Sequence, residues 1–181
     1  GFVFAPELVM TNAHVGAGTD ATAVEVVGRR NRINEMPARV VYYDPKVDVA
    51  VLRVPGLAAK PLRFAADPGR SGDDAIVLGY PLDGPFTVTP GRIRQEINLK
   101  GPDIYDSGDV SRDVYTVRAT VRSGNSGGPM IDAAGEGTGV VFGAALYDPE
   151  TGVVLTVGQV EAAAQAAPNR TAAVGTGPCA E

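Results

Sequence analysis

At 181 residues, 44% hydrophobic and 20% charged, the chain suits one compact domain, or two small subdomains sharing a site, and not a disordered segment. The net charge is -5 and the basic residues are scattered, so there is no basic stripe for a nucleic-acid partner. One His and one Cys are too few soft ligands for a self-contained zinc or haem site, so no metal or cofactor is expected.

The 23 Gly and 14 Pro are spread through the chain, which reads as frequent turns between short strands. Strands are expected at Gly1 to Phe4, Leu8 to Thr11, Ala23 to Val27, Ala38 to Tyr43 and Val49 to Val54. Further strands are expected at Ala75 to Leu78, Phe86 to Arg94, Val114 to Ala119, Pro129 to Ile131, Gly139 to Ala145 and Val153 to Val157. Turn signals such as Asp44-Pro45, Pro55-Gly56, Tyr80-Pro81 and Asp148-Pro149 separate them. Many short strands at this spacing predict an all-β barrel or sandwich.

One helix is expected, from about Gln159 to Ala167, stopped by Pro168. Leu57 to Gly72 is weakly patterned and reads as a connector between half-domains. Lys100 to Asp113 reads as an exposed acidic loop. No apolar run reaches the roughly 18 residues of a membrane span. The chain opens on Gly1 inside an apolar stretch, without an initiator Met, and reads as a piece of something longer.

Three strings carry candidate chemistry. In Arg122-Ser123-Gly124-Asn125-Ser126-Gly127-Gly128-Pro129 a Ser lies in a glycine-rich turn that can present its hydroxyl. The backbone N–H groups of Gly124 and Ser126 would form the concavity that an acyl-transfer oxyanion requires, although such a string is also ordinary turn chemistry. His14, the only His, follows an apolar strand and precedes a Gly-rich turn. It is the one side chain whose ordinary pKa suits a general base near neutrality. Asp48 immediately precedes an apolar strand and is the preferred partner of His14, whereas Asp44, before Pro45, reads as a turn former.

In the order His, Asp, Ser the three strings acquire a specific likeness. Thr11-Asn12-Ala13-His14 resembles the Thr-x-Ala-His signature of trypsin-like proteases. Asp48-Val49-Ala50-Val51-Leu52 resembles their Asp-strand, and Gly124-Asn125-Ser126-Gly127-Gly128-Pro129 matches their nucleophile loop. Asn125 points to the HtrA-like bacterial branch. Phe2-Val3-Phe4-Ala5-Pro6, Gly101-Pro102-Asp103-Ile104-Tyr105 and Val174-Gly175-Thr176-Gly177-Pro178-Cys179 resemble the MarP-type membrane-anchored, acid-resistance periplasmic proteases of mycobacteria and relatives.

The resemblance implies two antiparallel β-barrels of the chymotrypsin type, the first lacking its N-terminal strand, with a short C-terminal helix. Residues 1–57 would hold His14 and Asp48, 58–73 would connect, and 74–181 would hold Ser126. It implies a serine endopeptidase, with His14, Asp48 and Ser126 catalytic and a protein or peptide as substrate. It also implies a monomer with a membrane anchor in the whole protein and a site outside the cytoplasm. Thr120, six residues before the nucleophile, would line the base of the substrate pocket, with Phe142, Gly143 and Ala144 opposite and Gly152 nearby. With no carboxylate at Thr120, a neutral residue is expected before the scissile bond. On its own, Cys179 is either a free thiol or half of a disulfide; the resemblance implies a bond to a Cys upstream of Gly1. The competing readings are an inactive binding module on the same fold, and an esterase, which the lack of alternating helices disfavours.

Overall fold

The computed structural model describes residues 1–28 and 32–180. Five strands form the first sheet: β1 (Phe2–Ala5), β2 (Leu8–Thr11), β3 (Thr22–Val27), β4 (Ile33–Asp44) and β5 (Val49–Arg53). They pair antiparallel in the order β1-β2-β5-β4-β3, a half-barrel open between β1 and β3. Six strands form the second: β6 (Asp74–Gly79), β7 (Thr87–Pro102), β8 (Asp109–Arg118), β9 (Pro129–Ile131), β10 (Gly137–Ala145) and β11 (Asp148–Thr156). This sheet closes completely, because the three-residue β9 pairs with both β6 and β10. The fold is thus mostly β, a five-stranded half-barrel beside a closed six-stranded barrel.

Burial explains why β2 and β5 read as unbroken apolar runs. Leu8, Met10, Val49 and Val51 face the seam between the sheets, while Val9, Ala50 and Leu52 face the hollow of the half-barrel. Alternate side chains point to opposite faces, and here both faces are covered. The closed barrel has its own core, built on Val77, Ile93, Tyr115, Val117, Met130 and Val154. Burying each such side chain contributes roughly 1.5–3 kcal/mol, so the seam, which also holds Val114, Val140 and Leu155, ties the two sheets together.

The helix α1 (Val157–Ala166) begins two residues earlier than expected, because β11 runs directly into its cap. Thr156 Oγ1 accepts the N–H of Gln159 at 3.4 Å. Val160 and Ala163 bury into the seam. Beyond the helix the Arg53 guanidinium donates to the carbonyls of Ala167, Pro168 and Arg170. The chain then returns over the first sheet, where the N–H of Val174 donates to Val40 and that of Gly18 to Thr176.

Only the tip of the segment Lys100 to Asp113, residues 103–108, is a loop. β7 and β8 continue through it as a hairpin, pairing Lys100 with Ser111 and Pro102 with Asp109. Asp103 is buried and organises the tip, accepting the N–H groups of Tyr105 and Ser107 at 2.9 and 3.0 Å and the Ser107 hydroxyl. β4 is likewise longer than its apolar part, since Asn34 to Pro37 pair with β3 although they are mostly exposed.

Candidate functional site

His14 lies one residue beyond Ala13, past the end of β2, on a single 3-10 turn (His14–Gly16) and not on the strand end itself. Asp48 lies immediately before β5, the neighbour of β2, so the two strands set the residues side by side. The Asp48 side chain is 1% exposed. Its Oδ1 accepts the backbone N–H of His14 at 2.8 Å, and its Oδ2 lies 2.6 Å from His14 Nδ1. The Asp48 backbone has φ of 69°, an unusual conformation for a residue with a side chain. Two bonds hold it there: Asp48 N–H donates to Asp44 O at 2.9 Å, and Asn12 Nδ2 donates to Asp48 O at 2.9 Å. Asp44 builds the preceding turn, its Oδ1 accepting from Lys46 and Val47. It is Asp48 that reaches His14.

Ser126 sits in the loop before β9, and is partly buried. The loop is fixed to the barrel by Gly127 N–H donating to Val141 O at 2.9 Å and Val141 N–H donating to Gly128 O at 2.8 Å. Gly127 has φ of 75°, and a Cβ there would collide with the Thr11 hydroxyl and the Asn12 backbone. That close approach sets the serine loop against Thr11 and Asn12, so residues of both sheets meet there. Gly124 also has positive φ, and its α-carbon abuts the Tyr80 carbonyl. Among the described residues, the N–H groups of Gly124 and Ser126 have no acceptor, although their neighbours Asn125, Gly127 and Gly128 all donate. Two unspent donors flanking one hydroxyl can receive a developing negative charge.

The trypsin-like peptidase domain family matches residues 1–143. The chain is a trypsin-like serine protease domain. This protease domain is 54% identical over 180 residues to serine protease Rv3671c of Mycobacterium tuberculosis, covering 99% of this chain and 44% of that protein. It is 32% identical over 158 residues to the "Probable periplasmic serine endoprotease DegP-like" of Brucella suis, covering 85% of this chain and 28% of that protein. The crystal structure of the active form of Rv3671c protease superposes with a TM-score of 0.92 at 53% identity, covering 100% of this chain and 78% of that one. The chain therefore spans less than half the length of these curated relatives.

A cleft of about 920 Å³ opens beside His14 and Asp48 in this protease domain. Phe142, Gly143 and Ala144 line it together with residues of the β7–β8 hairpin. Thr120 is exposed, and the α-carbon of Gly152 is packed against Val121 in the barrel core. Cys179 is an exposed thiol beside the backbone of Gly18. No helix among the described residues is long and apolar enough to cross a membrane.

Two contributors escaped the sequence reading. Asn12 is fully buried and supports Asp48; its place within the Thr11–His14 string was the available signal. Arg112 is also buried and lines the same cleft as His14, and its place in an acidic, loop-like stretch concealed it.

Proposed function

We propose that this domain is an endopeptidase in which Ser126 is the nucleophile, His14 the general base and Asp48 the group that orients it. The observation that carries this reading is the two-point hold of Asp48 on His14. A carboxylate accepting from Nδ1 leaves Nε2 free to take a proton, and stabilises the imidazolium once it forms. Ser126 Oγ attacks the peptide carbonyl and passes its proton to His14 Nε2. The oxyanion is received by the N–H groups of Gly124 and Ser126. His14 returns the proton to the leaving amine, and an acyl-enzyme on Ser126 remains. Water then attacks it, with His14 acting as base, and restores the serine.

Phe142, Gly143 and Ala144, with Thr120 nearer the surface, would face the residue before the scissile bond, and all are neutral. A neutral preference follows. The name of the Brucella relative supports work outside the cytoplasm. The resemblance of the Phe2–Pro6, Gly101–Tyr105 and Val174–Cys179 strings to the MarP-type proteases suggests cell-envelope proteins as substrates and a link to stress or acid resistance. The same sequence resemblance suggests a membrane anchor and a Cys179 disulfide in the whole protein, with the protease domain monomeric. The 1–57 and 74–181 halves would each contribute part of the site, joined by 58–73.

Cleavage of a mixed peptide library, with products sequenced by mass spectrometry, tests the reading. Internal cleavage after neutral residues, absent in Ser126→Ala, is expected. Cleavage confined to Lys and Arg would refute the pocket assignment, and equal cleavage by Ser126→Ala would refute the mechanism.

A further inference from the structure

The connection from β6 to β7, residues 80–86, holds large apolar side chains out of the protein. Tyr80 is 42% exposed, Leu82 63% and Phe86 54%, and the Tyr80 and Phe86 rings meet edge to face with centroids 5.6 Å apart. Leu82 and Asp83 follow one another at φ of 56° and 54°, the left-handed region in which a turn ordinarily takes Gly or Asn. The fold gives Leu82 no burial that would offset this conformation. A strained backbone that presents an apolar side chain to solvent points to a contact made with something outside the chain.

The connection is fixed to the loop that carries Ser126. Leu82 N–H donates to Ser123 O at 2.8 Å, and the α-carbon of Gly124 packs on the Tyr80 carbonyl with no room for a side chain. On the far side of Ser126 in the same loop, Gly127 and Gly128 are bonded to Val141 of β10, the strand on which Phe142, Gly143 and Ala144 follow. Ser126 thus lies between a hold from β10 and a hold from residues 80–86. Tyr80, Leu82 and Phe86 stand outside the cleft that His14 and Phe142 line. A peptide whose carbonyl is received at Gly124 and Ser126, with the residue before the bond along Phe142–Ala144, carries its other half toward the exposed rings and Leu82.

We propose that Tyr80, Leu82 and Phe86 form a subsite for the leaving half of the substrate, selecting a large apolar residue at the first or second position after the scissile bond. The proposal rests on Ser126 as nucleophile and on Gly124 and Ser126 as oxyanion donors. An extended peptide advances about 3.3 Å per residue, so a surface adjoining the oxyanion donors is met within the first two residues. Covering Leu82 and the two rings removes apolar surface from water on both partners. Asp83, the one charged residue of the connection, disfavours an acidic residue in the same positions.

The test uses peptides identical up to a bond cleaved in the library and carrying Leu, Phe or Ser at the first two positions after it. Their kcat/KM values are measured in the parent, Leu82→Asn, Phe86→Ser and Ile33→Ser, with folding checked by circular dichroism and association by sedimentation. The parent favours Leu or Phe over Ser about tenfold, the low end of what one apolar group contributes in a pocket. In Leu82→Asn, where Asn suits the left-handed turn, and in Phe86→Ser the ratio falls to about twofold or less. Ile33→Ser, which removes an equally exposed apolar side chain on β4, keeps the parent ratio. A change that only disturbed the oxyanion donors would slow every peptide alike and leave the ratio intact. A parent without the preference would overturn the proposal, as would a folded Leu82→Asn or Phe86→Ser that keeps it in full. So would a parent dimer that Leu82→Asn dissociates with the ratio unmoved, since the patch would then join two copies of the chain. Should Leu82→Asn fail to fold, Phe86→Ser decides. A parent that cleaves no peptide, and is not labelled at Ser126, would instead remove the underlying protease reading.

Discussion

Asp48 grips His14 at two points, one carboxylate oxygen taking the backbone N–H and the other facing ring Nδ1 at 2.6 Å. The first contact fixes where the residue sits, and the second fixes the tautomer and the plane of the ring. Asp48→Asn keeps the shape but presents a donor where an acceptor is required. With peptide substrate near neutral pH, kcat should fall about 10⁴-fold, the scale for this change in a Ser-His-Asp triad. A loss below about tenfold would show that Asp48 does not orient the base.

Gly127 is the point at which the serine loop meets the first sheet. Gly127→Ala places a methyl against Thr11 and Asn12 at a φ of 75°. The backbone strain alone costs roughly 1–3 kcal/mol. Urea denaturation should show at least that loss, and Ser126 should be displaced from His14, with activity falling further than stability. Full activity at parental stability would contradict the placement of the loop.

Asp103 gives the hairpin tip a pH dependence. The Ser107 hydroxyl, followed by the N–H groups of Ser107 and Tyr105, holds its pKa below the ordinary carboxylate value, burial opposing. A lowered folded-state pKa contributes stability that is fully present above the unfolded value, roughly 3.9, and is lost as pH falls through the folded value. Urea midpoints of the parent and Asp103→Asn should therefore differ by a constant amount above about pH 5 and converge as the pH falls below about 4. A gap that widens on acidification would reverse the sign and contradict the assignment.

Much of this was legible in the sequence because the decisive residues sit at strand boundaries. The continuous apolar runs at Leu8–Met10 and Val49–Leu52 announce doubly covered strands, and such strands fix the residues at their ends, Asp48 among them. The glycines around Ser126 announce a turn whose backbone approaches other chain closely. What was hidden depended on partners distant in sequence. Lys100 to Asp113 looks like a loop because its polar residues face solvent along a projecting hairpin, and only the pairing of β7 with β8 makes it strand. Pairing does the same for Asn34 to Pro37, whose apolar content is too low to announce a strand. The burial of Arg112 beneath Phe142 needs two strands and a cleft, and no local pattern encodes it.

The most direct test of the account is labelling with a serine-directed fluorophosphonate, the modified peptide read by mass spectrometry beside Ser126→Ala and Asp48→Asn. The account predicts label on Ser126 alone in the parent, none in Ser126→Ala and strongly slowed labelling in Asp48→Asn. A folded parent that takes no label, or takes it equally at other serines, would contradict an activated nucleophile at Ser126.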